Sequence, residues 1–139
     1  MRKLQQGFSL ISAIFLLVVI AALGTFAVTL STTQQQSGAL DVMGARAYQA
    51  ARAGIEWAAF GVSQTASGVQ WTGCVPSTNL GALGGTLSTF SVAVTCSATS
   101  SVEGTAPFWI YDVTATARTT GSVGDTGYVE RVINVKLGK

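Results

Sequence analysis

The sequence predicts an α+β protein: a long N-terminal helix, hydrophobic and then amphipathic, packed on a small antiparallel β-sheet. Three observations lead there. No charged residue occurs between Leu4 and Leu40. Beyond Leu40, small and apolar residues recur at three- and four-residue steps. The last third of the chain then holds three runs in which apolar and polar residues alternate.

From Phe8 through Leu30 the residues are almost all apolar, interrupted by Ser9, Ser12, Gly24, Thr25 and Thr29. About 20 such residues suffice to cross a bilayer. A single central Arg or Lys would cost about 2.5–3.5 kcal/mol, and none is present. Small and hydroxylated residues in such a helix commonly face neighbouring helices, or are neutral passengers. Residues 31–38 are polar and resemble a linker, yet Leu40, Met43, Ala47, Ala50, Ala51, Gly54, Ile55 and Ala58 then trace one face of an amphipathic helix. Asp41, Arg46, Gln49, Arg52 and Glu56 lie opposite, with Arg52 and Glu56 spaced to meet. No proline precedes Pro76. One helix is therefore expected over about residues 8–60, capped near Gly61, with weak points at Gly24, Gly38 and Gly44. At 1.5 Å per residue it would be about 80 Å long.

Residues 61–87 are rich in Gly, Ser, Thr and Asn, and read as irregular structure around Trp71 and Cys74. Phe90, Val92, Val94 and Cys96 share one face of the first alternating run. Trp109, Tyr111, Val113, Ala115 and Ala117 share a face of the second, and Val129, Arg131, Ile133, Val135 and Leu137 a face of the third. Period-two alternation rich in β-branched and aromatic residues argues for half-buried strands. Residues 97–106 and 119–127 suit the connections between them. Sheet and amphipathic half-helix each need the other to bury an apolar face.

Composition narrows the function. Charged residues make up 10% of the 139, against about a quarter in ordinary globular chains. The net charge of +2 comes from Arg2 and Lys3, since the remaining six basic and six acidic residues cancel. Such a balance is no nucleic-acid footprint, which needs a clustered basic face. Cations flanking an apolar helix stay in the cytoplasm, so the C-terminal body should be exported. Cys74 and Cys96 both fall in that body, where a disulfide between them would persist and would contribute roughly 3 kcal/mol. With no histidine in the chain, Ser-His-Asp and Cys-His catalysis and histidine-ligated metals are excluded. No catalytic residue, metal or cofactor is expected. Glu103, Asp112, Asp125 and Glu130 are scattered, and a glycosidase needs two carboxylates at a set separation. Gly81-Ala82-Leu83-Gly84-Gly85 lacks the Lys and Ser/Thr of a phosphate loop. Trp71, Trp109, Tyr111 and Tyr128 could stack on a ligand, although aromatic residues in so small a body more commonly form its core.

The N-terminus carries a recognisable pattern. Met1-Arg2-Lys3 leads to Gly7, followed by Phe8-Ser9-Leu10-Ile11 and the apolar helix. This resembles the class III signal of type IV pilins and type II secretion pseudopilins. The stretch from Arg46 through Tyr48, Arg52 and Glu56 to Trp57 resembles the helix of MshP-type minor pilins of the mannose-sensitive haemagglutinin (MSHA) pilus. The likeness covers roughly the first sixty residues, and is only architectural for the β body. It implies a pilin-like fold and a non-catalytic assembly role in a Gram-negative inner membrane. A prepilin peptidase would cut between Gly7 and Phe8 and methylate the new N-terminus. The implied partners are that peptidase, other pilin subunits, an inner-membrane assembly platform and membrane lipid, with no nucleic acid. Arg46, Arg52 and Glu56 become candidate contacts between subunits, or else an ordinary solvated face. The family usually carries a glutamate at the fifth mature position, where this chain has Ser12. In the family that carboxylate pairs with a neighbour's terminal amine, so a subunit without it is expected at the filament tip or in a priming complex.

The expected segments are a leader at 1–7, a membrane and assembly half-helix at 8–30, an amphipathic half-helix at 31–60 and a periplasmic body at 61–139. A conventional secretory signal competes with this reading, with Ala22-Leu23-Gly24 as its cleavage site. Apolar character continuing through Val28 and Leu30 argues against it. An uncleaved anchor, a type II secretion minor pseudopilin and an exported single-pass binding protein complete the alternatives.

Overall fold

The computed structural model describes residues 6–139, with side chains from Leu10 onward. With no proline and few helix-breaking residues before Pro76, α1 runs unbroken over Gln6–Gln64. The chain divides into two compact units, Met1–Ala39 and Leu40–Lys139. In the first, every described side chain from Leu10 to Ala39 is exposed.

The second unit combines the remainder of α1 with a four-stranded antiparallel meander. Its strands are β1 (Thr78–Ala82), β2 (Ser91–Glu103), β3 (Ala106–Arg118) and β4 (Glu130–Gly138), ordered β1-β2-β3-β4. The long strands pair from Ser91↔Arg118 to Glu103↔Ala106. Only Gly104 and Thr105 remain between them, and Gly104 has φ +64°. A two-residue hairpin turn calls for this left-handed backbone, which glycine adopts without strain. Residues 97–106, expected as a connection, are thus mostly ladder. Irregular structure was expected throughout residues 61–87, but β1 and a 3-10 turn at Gly85–Leu87 lie there. β1 carries a register shift between Asn79 and Gly81, which erases the alternation that would reveal a strand.

The core forms where the small face of α1 meets the alternating faces of β2 and β3. Ala47, Ala50, Ala51 and Ala58 are buried from the helix; Phe90, Val92, Val94, Tyr111, Val113, Ala115 and Ala117 come from the sheet side. Leu40, expected on that face, is 48% exposed. Small helix residues allow close approach. A Cβ on Gly54 would lie 2.9 Å from Val92 Cγ1 and 3.0 Å from Ala115 Cβ. The helix continues past the expected cap at Gly61, because the missing side chain there is filled from outside: a Cβ would lie 2.4 Å from Trp71 Cζ2.

Candidate functional site

Two regions carry the features singled out in the sequence. In the first, the apolar stretch of α1 is long enough, and apolar enough, to cross a membrane. Its threonine hydroxyls bond to the helix's own carbonyls. Thr25 Oγ1 donates to Ala22 O and Thr29 Oγ1 to Phe26 O, both at 2.8 Å, and Thr33 Oγ1 to Thr29 O at 2.9 Å. Back-bonding of this kind lets Ser and Thr sit in hydrocarbon without unmet donors. Ala21, Gly24, Thr25, Val28 and Thr29 line a shallow, mostly apolar groove, the small-residue relief that lets a second helix approach. Ser12 is exposed on the same helix. Gly7 and Phe8, the expected processing site, fall in the first turns of α1; the Phe8 side chain lies outside what is described, as do Arg2 and Lys3.

The second region lies within the body, where residues 65–77 cross α1 and the sheet. Cys74 and Cys96 form a disulfide, tying residues 65–77 to β2. Trp71 fits between Gly61 and Gly73, where added Cβ atoms would clash with its ring. It packs edge-on to Trp57 with ring centres 5.3 Å apart, and to Tyr111 at 6.5 Å. The Trp71 N–H donates to Tyr111 Oη at 2.8 Å, and Trp109 Nε1 donates to the Gly68 carbonyl at 3.3 Å. Tyr111 is buried, while Trp71 and Trp109 are half-buried. These three aromatic residues are therefore packing elements. Tyr128, half-buried, donates its hydroxyl to Glu130 Oε2 at 2.5 Å, and the adjacent carboxylate pushes its phenol pKa up.

The other polar residues singled out in the sequence lie at separate surface positions. Arg52 and Glu56 pair at 3.0 Å on the exposed helix face. Arg46 lines a surface groove with Val42, Ala45, Gln49, Thr86 and Leu87. Asp112 accepts from Lys136 Nζ at 2.5 Å and from Asn134 Nδ2 at 2.6 Å. The Lys136 hydrogen bond, with Asn134 second, lowers its carboxyl pKa. Asp125 Oδ2 accepts from the Ser122 N–H at 2.7 Å in the β3–β4 connection, and Glu103 ends β2 at the hairpin tip. The four carboxylates considered in the sequence thus occupy separate settings. Among the described residues, no group of three or more His, Cys, Asp or Glu side chains could hold a metal.

Fold and site together define an α+β protein with a membrane-compatible N-terminal helix and a disulfide-tied antiparallel sheet. Compared with protein families, curated proteins and solved structures, the chain matches none.

Proposed function

We propose that the chain is a minor pilin of a type IV, MSHA-like pilus, non-catalytic and acting in filament assembly. The observation that carries this reading is a single unbroken helix, apolar and exposed in its first part and packed on a small sheet in its second. The exposed apolar side chains leave lipid and bury against sister helices, so extraction loses little hydrophobic free energy. The groove from Ala21 to Thr29 gives a neighbouring helix close access, and self-bonded threonines ask nothing of the new surroundings.

On this reading the N-terminus faces the cytoplasm, the body the periplasm, and the leader is removed by a prepilin peptidase between Gly7 and Phe8. The processed subunit then meets other pilins at the inner-membrane assembly platform. The absence of a carboxylate at position 12 favours a tip or priming position. Sheared surface fibres and assembly intermediates from the expressing cell should contain the polypeptide at its processed mass. Gly7→Leu should hold it at precursor mass in the membrane. Normal processing of that variant refutes the cut site, and fibres and intermediates lacking the chain refute the assembly role.

A further inference from the structure

Residues 65–77 leave α1 and reach β1 without regular structure, and each of them is exposed or half-buried. The fully buried groups lie elsewhere, on α1 (Ala47, Ala50, Ala58) and on the sheet (Val92, Val113, Ala115). Besides the disulfide, this strap is held by the Trp71 ring in its glycine slot and by a few hydrogen bonds. The Trp71 N–H donates to Tyr111 Oη at 2.8 Å, and the Cys96 N–H to the Val75 carbonyl at 3.1 Å. Two more are long: Trp109 Nε1 to the Gly68 carbonyl at 3.3 Å and the Tyr111 hydroxyl to the Val69 carbonyl at 3.5 Å.

We infer that the Cys74–Cys96 bond is a redox latch, whose reduction frees residues 65–77 from a helix–sheet body that stays folded. Few non-covalent contacts oppose the entropy that such a segment gains on release, so the covalent tie decides whether the strap is closed. Cys96 is buried and Cys74 half-buried, so Cys74 is the more exposed residue of the bonded pair. A dithiol reductant attacks, the Cys74–Cys96 bond breaks, and two electrons and two protons pass to the cysteines. Two thiols result, and the reductant leaves as its own disulfide. Opening uncovers the Tyr111 hydroxyl and the part of the Trp57 ring that Trp71 packs on, and reoxidation closes the strap again. The inference stands independently of the filament reading.

Amide hydrogen exchange on the full chain in detergent micelles, with and without dithiothreitol, tests it. Exchange at Trp71 and its strap neighbours should accelerate on the order of tenfold or more, while Val113 and Ala115 keep their protection. Removing the reductant under mild oxidation should restore the slow strap exchange. A Cys74→Ser/Cys96→Ser double variant should show the open pattern with or without reductant. Should that variant fail to fold, reduction of the folded wild type gives the same readout. Unchanged strap protection after verified reduction overturns the inference, because non-covalent contacts then suffice. Loss of protection at Val113 and Ala115 along with the strap also overturns it, because the bond is then a staple for the whole body.

Discussion

Replacing Gly54 with alanine should destabilise the body, whereas the same change at Gly44 should stabilise it. Both glycines are buried on α1, and in a helix interior each replacement gains about 0.8–1.0 kcal/mol of propensity. Their surroundings differ. At Gly54 the new methyl would meet Val92 Cγ1 at 2.9 Å, Ala115 Cβ at 3.0 Å and Val94 Cγ2 at 3.1 Å. Ala115 has no rotamer to change, so helix and sheet must separate by a few tenths of an ångström. Overpacking of this kind costs about 1–3 kcal/mol, leaving a net loss of up to about 2 kcal/mol after the propensity gain. At Gly44 the nearest obstacle is Arg131 Nη2 at 3.1 Å, the far end of a flexible side chain that can move aside. The propensity gain then survives, up to about 1 kcal/mol. Urea titration of the full chain in micelles, followed by tryptophan fluorescence, measures both variants on one scale. If Gly54→Ala proves as stable as Gly44→Ala, the close helix–sheet contact is not what fixes this face.

Other outcomes follow from the same geometry. Gly61→Ala should drive Trp71 from its slot at a cost of about 1–3 kcal/mol, with a red-shifted emission; unchanged emission contradicts the packing. Tyr111→Phe leaves the ring and removes the acceptor for the Trp71 N–H, so thermal unfolding should show a loss of about 1 kcal/mol. Asp112 has a lowered pKa on folding, so its pairing stabilises above the ordinary carboxylate range of about 4 and is lost as pH falls through the folded value. The midpoint gap between wild type and Asp112→Asn should therefore shrink on acidification, and a widening gap would reverse the sign. Val19→Arg should block membrane insertion or assembly at about 2.5–3.5 kcal/mol; unimpaired membrane recovery together with normal piliation contradicts the helix assignment.

Much of the fold was legible because burial writes itself into period. Val92, Val94 and Cys96 on one strand, with Phe90 just before it, and Tyr111, Val113, Ala115 and Ala117 on the next are buried as their alternation predicts. Where side-chain contrast fades, so does the signal. Residues 97–103 extend β2 with mostly Ser, Thr and Ala, which look alike on the two faces. β1 is short, contains Gly81 and shifts register, so it offers no period to read. Gly61 looked like a helix stop and is instead a packing recess for Trp71, a partner ten residues on that no local pattern reveals. Of the candidate site, the apolar helix, the Cys74–Cys96 bond and the Arg52–Glu56 pair could all be read from spacing or compartment. The aromatic slot could not, since it depends on the path of residues 65–77.

On the proposed reading, a leaderless apolar helix exchanges lipid for sister helices. Mass spectrometry of the N-terminal peptide, from the chain recovered in both membranes and sheared fibres, tests it most directly. N-methylated Phe8 is expected in both fractions. Intact Met1, or a chain starting at Thr25 and found only in the soluble fraction, would contradict it.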